Sequence, residues 1–255
     1  MNAKSERLTL KRDGQTAVIT LNRPEVRNCL DRQALEELIS ALDTCEADPS
    51  VRVVVLTGAA RAFCSGADLK YLRSQNAHGF ATVIRLFHAA CDRLERLTKP
   101  VVAAVNGVAI AGGLELALAC DLIVAAEDAE LGDHHANIGT IPGGGSTQRL
   151  PRRIGISRAK DLIFTGRRLT AGEAEAIGLV DRVAQTGKLE QDVMALAESL
   201  AAKDPWVLRT AKYLINQGMR TELTTGLRME EQAITERQFG AERRRGKGDE
   251  PWTSS

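Results

Sequence analysis

Glu115 is the residue least at home in its surroundings. It stands in Leu114-Glu115-Leu116-Ala117-Leu118-Ala119, a run otherwise wholly apolar. A carboxylate on a buried helix is costly unless it is paired or used, and burial raises its pKa toward the range of a general base. Two uses fit: proton transfer at a substrate, or a structural carboxylate bonded to backbone or to an arginine such as Arg149. Just upstream, Asn106 to Gly113 leads from an apolar strand through a glycine turn into a helix, and Ala62 to Leu69 repeats that plan with a small-residue loop. A helix start presents unpaired N–H groups and a positive dipole end, so each turn can donate to an oxygen bearing negative charge. Two such donors meeting at one point form an oxyanion hole, each worth about 3–4 kcal/mol of barrier. Gly112 and Gly113 have no Cβ, which lets a substrate press against the backbone. The other reading of the two turns is tight strand-to-helix packing with no ligand.

The elements that must position these groups alternate in type. Apolar, β-branched runs at 16–21, 52–57, 101–105 and 121–125 suit strands, mostly buried on both faces. Helical spacing runs from Asp31, a candidate N-cap, to about 46, again over about 79–98, and over 113–119. Strands alternating with helices predict an α/β fold with a largely parallel sheet and helices outside. Pro142-Gly143-Gly144-Gly145 makes 132–148 a loop. From 157 onward the pattern is almost wholly helical, with runs near 157–165, 170–177, 188–203, 205–217 and 222–240. A compact core over 1–185 and a helical region over 186–255 are therefore expected, ending in a flexible tail from Arg243 to Ser255.

Composition narrows the functional classes. Lys plus Arg number 34 against 33 Asp plus Glu, which gives no electrostatic case for nucleic acid or an anionic membrane. Cys29, Cys45, Cys64, Cys91 and Cys120 are odd in number and scattered, as expected of reduced thiols in a cytoplasmic protein. Residues 1–20 show no basic-then-apolar leader. Val101 to Ala126 is apolar but broken by Asn106, Glu115 and Asp121, so it reads as core and not as a membrane span. No dinucleotide-binding, phosphate-loop or zinc-protease motif is present, and Gly144-Gly145-Ser146-Thr147-Gln148 fails the serine-hydrolase elbow at its last position. His134 and His135 are adjacent and make a poor metal pair.

Leu21-Asn22-Arg23-Pro24, Ala62 to Lys70, Gly112 to Asp121, Gly139 to Leu150, Phe164 to Arg167 and Ala174 to Val180 together resemble the crotonase superfamily, the enoyl-CoA hydratase/isomerase family, over about residues 6–240. The resemblance implies a crotonase-like spiral of ββα repeats, with a helical C-terminal region that builds trimers or dimers of trimers. It implies an acyl-CoA thioester as substrate, a place in fatty acid metabolism and no metal or redox cofactor, CoA entering as part of the substrate. By position, Ala67 and Gly112 would donate the oxyanion-hole N–H groups. Asp68, Leu69 and Lys70, with Ala67, would line the CoA chain, and Ala62, Val26 and Arg27 would lie near its adenine end. Glu115 falls where the hydratases keep the first of two catalytic glutamates.

The chain departs from that pattern at the second glutamate, where His135 stands. An imidazole can hold or release a proton at neutral pH, so His135 is expected either to deliver the α-proton while Glu115 activates water, or to shape the pocket by hydrogen bonding. His134 is expected to point away. The reading that follows is enoyl-CoA hydration. Its alternatives are another crotonase-type reaction (isomerisation, thioester hydrolysis, decarboxylation, C–C hydrolysis) and a catalytically idle acyl-CoA-binding scaffold. The C-terminal run Arg243-Arg244-Arg245-Gly246-Lys247 to Trp252 replaces the aromatic-and-lysine helix common in the family. Acyl specificity is expected to lie in 71–85 and 134–145.

Overall fold

The computed structural model describes residues 7–245, with side chains described through 239. The chain divides after Lys203 into two units. The first begins with β1 (Leu8–Asp13) and β2 (Thr16–Leu21), an antiparallel hairpin that turns at Gly14, where φ is +55°. Helix α1 (Arg32–Ala47) follows; the Asp31 side chain caps it by accepting from Ala34 N at 2.9 Å.

Three similar passes come next. The first is β3 (Val53–Gly58), β4 (Ala62–Cys64), the short α2 (Leu69–Arg73) and α3 (Ala77–Arg96). The second is β5 (Val101–Val105), β6 (Val108–Ile110) and α4 (Gly112–Ala119). The third is β7 (Leu122–Ala126), β8 (Glu130–Gly132), a 3₁₀ turn at His135–Ile138, α5 (Ser146–Ile154) and α6 (Ile156–Thr165). The unit closes with β9 (Leu169–Thr170), α7 (Ala171–Ala176), β10 (Arg182–Ala184) and α8 (Leu189–Ala201).

Each pass leaves one strand in each of two sheets. One sheet runs β1-β2-β3-β5-β7-β10, parallel from β2 onward; the other runs β4-β6-β8-β9. This is the expected spiral of ββα turns. Its stacked register, with Leu56 opposite Ala103, Ala104 opposite Val124, and Ala109 opposite Leu131, brings the loops that follow β4, β6 and β8 next to one another.

The six-stranded sheet is covered on both faces. Ile19, Leu56, Ala103 and Ile123 belong to the larger core with Leu35, Leu38, Leu94, Leu114 and Leu116. On the other face Val53, Val55, Val102, Ala104 and Val124 pack against Val193, Leu196, Ala197 and Ala201 of α8. The first helix of the region expected to stand apart from 186 onward thus completes this core, and the division falls near 203.

Apart from β1, the strands not expected from the sequence are short. β4, β6, β8 and β10 have three residues each and β9 has two, too few for a period-2 pattern to register. β1 is a charged edge strand, with Lys11, Arg12 and Asp13 exposed.

The second unit holds α9 (Pro205–Gly218) and α10 (Leu223–Arg245). Asp204 caps α9 through Trp206 N and Val207 N and also pairs with Arg237 at 2.7 Å. Arg237 in turn lies 4.8 Å from the Trp206 ring centre. Residues 246–255, and the side chains of Arg243, Arg244 and Arg245, fall outside the described residues. Among the described residues no helix is long and apolar enough to cross a membrane.

Candidate active site

The two glycine-bearing turns abut. A Cβ on Gly66 would lie 2.9 Å from Gly112 N, and one on Gly112 would lie 3.1 Å from Gly66 Cα. Gly66 also has φ +97°, so glycine is required there on both counts. Leu30 N donates to Gly66 O and Asp68 N donates to Leu30 O, both at 2.8 Å. In that parallel bridge the amides flanking Ala67 engage Leu30, so the Ala67 N–H itself points to the opposite side. In α4 the first helical bond is Glu115 N to Ala111 O, so Gly112 N precedes the ladder, among the donors that a helix start leaves over. Ala111 stands at φ 50°, ψ −122°, a strained conformation for a residue with a Cβ, of the kind that clusters at functional sites.

A network on the far side of this loop fixes it. The buried Arg23 donates to Cys29 O at 2.9 Å and to Asp68 Oδ2 at 3.1 Å, and pairs with Asp31 at 3.2 Å. Asp68 also caps α2 through Tyr71 N at 3.0 Å. Asn28 donates to Ala59 O and Ala62 O and accepts from Arg23 N. Burial pushes the Cys64 thiol, at the end of β4, up to about 12, which keeps it protonated and out of nucleophilic chemistry.

Glu115 lies one helical turn beyond Gly112, on the same face, and is 2% exposed. Its Oε1 accepts from Gly144 N at 2.7 Å and from Ser146 N at 2.9 Å. Its Oε2 lies 3.8 Å from His135 Nε2. Phe87 of α3 packs against both glycine segments: a Cβ on Gly112 or on Gly144 would come within 2.6 or 2.5 Å of its ring. Arg149 does not pair with Glu115. It donates to Gly144 O at 2.8 Å and binds Glu95 and Asp92, clamping the loop whose amides hold Glu115. Burial raises the Glu115 pKa above its ordinary value, against the opposing pull of the Ser146 amide, His135 and the Gly144 amide.

His135, 7% exposed, completes the cluster. Its Nδ1 lies 3.0 Å from Asp133 Oδ1, which also accepts from His135 N at 3.3 Å. Burial alone would lower its pKa; the hydrogen bond and charge of Asp133, with the charge of Glu115, outweigh that and raise it. His134, in a left-handed conformation with φ 62°, turns its Nδ1 to Gly166 O and Asn137. The adjacent rings therefore diverge.

The sequence singled out Glu115, His135, Ala67 and Gly112, and they all lie in this cluster. Val26, Arg27, Ala62, Asp68, Leu69 and Lys70 surround the Ser65–Asp68 loop: Ser65 N donates to Arg27 O at 3.0 Å, and Leu69 and Lys70 are exposed. Ala62 is 6% exposed and Asp68 is engaged with Arg23. Sequence reasoning missed Asp133, Arg23 and the clamp role of Arg149. Only Asp133 left a signal, a carboxylate two residues before a histidine. Among the described residues, no cluster of three or more His, Cys, Asp and Glu is placed to hold a metal ion.

Two sheets wound as ββα turns, with abutting glycine turns beside a buried carboxylate–imidazole pair, match a crotonase-type enzyme. The chain belongs to the enoyl-CoA hydratase/isomerase family, whose profile matches residues 11–250. It is 37% identical over 228 residues to a short-chain-enoyl-CoA hydratase of Clostridium acetobutylicum, covering 89% of this chain and 87% of that one. It is 38% identical over 219 residues to the mitochondrial methylglutaconyl-CoA hydratase of Mus musculus, covering 84% and 70%. Among solved structures, the enoyl-CoA hydratase of Bacillus anthracis superposes with a TM-score of 0.88 at 42% identity, covering 90% of each chain.

Proposed function

We propose that this enzyme adds water across the α,β double bond of an enoyl-CoA, and removes it in reverse. The observation that supports this most is the 3.8 Å approach of Glu115 Oε2 to His135 Nε2, one helical turn from the abutting glycine turns. In hydration, ionised Glu115 takes a proton from a water whose oxygen bonds to the β-carbon. The double-bond electrons move onto the thioester oxygen, where the N–H groups of Ala67 and Gly112 hold the enolate. The enolate then collapses, and the α-carbon takes a proton from His135 Nε2. Water has been added, leaving Glu115 protonated and His135 neutral, and the short gap between them lets the proton return.

Val26, Arg27, Ala62, Asp68, Leu69 and Lys70 would bind CoA along the rim of the Ser65–Asp68 loop, and 71–85 and 134–145 would meet the acyl chain. In the second unit Val207, Tyr213, Ile215, Met219 and Leu223 are all at least 49% exposed, a density of apolar side chains that supports homo-trimers or dimers of trimers. A cytoplasmic setting and a role in fatty acid metabolism complete the proposal.

The test is a panel of acyl-CoAs analysed by mass spectrometry. Hydration predicts products heavier by one water. Unchanged mass with a moved double bond, free CoA, lost CO₂ or a cleaved C–C bond would assign another enolate reaction. No product and no α-deuterium exchange across the panel would mark an idle binder.

A further inference from the structure

We infer that Asp133 is a positioning residue that commits His135 to exchanging its proton at Nε2; this rests on the reading of His135 as the proton partner of Glu115. Asp133 is the first residue beyond β8 and is wholly buried. Its Oδ1 meets both the backbone N and the Nδ1 of His135, while its Oδ2 is buried with no hydrogen-bond partner. A buried carboxylate with one oxygen unsatisfied is a costly way to hold a loop, and an asparagine or serine could accept the same backbone bond more cheaply. The arrangement makes sense if the charge acts on the imidazole.

A carboxylate only accepts, so Nδ1 must carry the hydrogen. Neutral His135 then offers a lone pair at Nε2, and protonated His135 offers an N–H there. In both states the atom that changes is the one 3.8 Å from Glu115 Oε2. A glutamate at this position would need no such partner, because either of its oxygens can take the proton. A histidine has two unlike nitrogens, and one must be chosen. The left-handed turn at His134 folds the ring back onto Asp133 two residues earlier and makes that choice possible. Asp133 and Glu115 are the charged groups that bear on this imidazole.

The test uses the full chain. Long-range ¹H–¹⁵N spectra of the labelled protein should show His135, when neutral, protonated at Nδ1 and bare at Nε2. The reverse tautomer overturns the inference without any variant being made. In Asp133→Asn, the His135 titration and the alkaline limb of the kcat pH profile with crotonyl-CoA should both move to lower pH. At neutral pH kcat should fall about 10- to 10²-fold, less than removing His135 itself costs, with KM within about twofold. In a His135→Gln background the same change should lower kcat by less than about twofold. An unmoved titration, or an equal loss in both backgrounds, overturns the inference and leaves Asp133 a loop residue. If the wild type does not turn over crotonyl-CoA or any other enoyl-CoA, the hydratase reading fails, while the spectra still decide the role of Asp133.

Discussion

Glu115 and His135, the proposed acid–base pair, are held by opposite means. Glu115 rises from a buried helix, and its inner oxygen is fixed by two backbone amides, from Gly144 and Ser146. His135 sits in a 3₁₀ turn, and its inner nitrogen is fixed by one side chain, Asp133. Both keep one atom anchored and turn the other toward a shared point. The difference is one of chemistry. A carboxylate can be oriented by neutral amides, which also stabilise its charge, whereas an imidazole needs an acceptor to settle its tautomer. Burial presses the carboxylate toward protonation, and the neighbouring carboxylates press the imidazole the same way.

The largest effect should come from the helix side. Glu115→Gln should cut kcat on an enoyl-CoA about 10³- to 10⁴-fold in steady-state assays with KM little changed, because the amide oxygen still accepts from Gly144 and Ser146. Its melting temperature at neutral pH should equal or exceed the wild type. A carboxyl whose folded pKa is raised contributes stability below its unfolded pKa and loses it as pH climbs through the folded value, so a permanently neutral group removes that penalty. A drop in melting temperature with unchanged kcat would make Glu115 structural.

On the loop side, His135→Gln should cost about 10²- to 10³-fold in kcat and abolish the alkaline limb of the pH profile. The wild-type profile should be a bell, its acid limb above the ordinary glutamate pKa of 4.5 and its alkaline limb above the ordinary histidine value of 6.5, since hydration needs Glu115 ionised and His135 protonated. Gly144→Ala tests the anchoring itself. The new Cβ would fall 2.5 Å from the Phe87 ring and 2.9 Å from Glu115 Oε2, predicting a stability loss of about 1–3 kcal/mol by denaturant titration together with a lower kcat. Smallest is Arg149→Lys. It keeps the charge but cannot bind Gly144 O, Glu95 and Asp92 at once, so kcat should fall several-fold with KM unchanged; no change in kcat would remove the clamp.

The same contrast separates what the sequence disclosed from what it hid. Glu115 was conspicuous because an apolar helix makes any carboxylate stand out, and the long buried strands 53–58 and 101–105 follow from their β-branched runs. The second sheet was silent: three-residue strands such as Ala62–Cys64 and Val108–Ile110 are set by register against neighbours distant in sequence. Bonding of Glu115 to backbone was an open alternative, but which amides supply it was hidden, since those of Gly144 and Ser146 carry no side-chain signature. Of the two structural partners open to Glu115, backbone or an arginine such as Arg149, the fold supplies the backbone, and Arg149 does not pair with the carboxylate. It reaches the loop and α3 instead, acting on the carboxylate from one step away.

Enolate chemistry at this site requires the N–H groups of Ala67 and Gly112 to converge on one oxygen. A crystal structure of the enzyme with a 3-ketoacyl-CoA bound would measure this directly. The thioester oxygen should lie about 2.7–3.1 Å from both nitrogens, with the β-carbon facing Glu115 Oε2 and the α-carbon facing His135 Nε2. A thioester oxygen bound to neither amide, or to only one with the acyl chain turned away from Glu115, would contradict it.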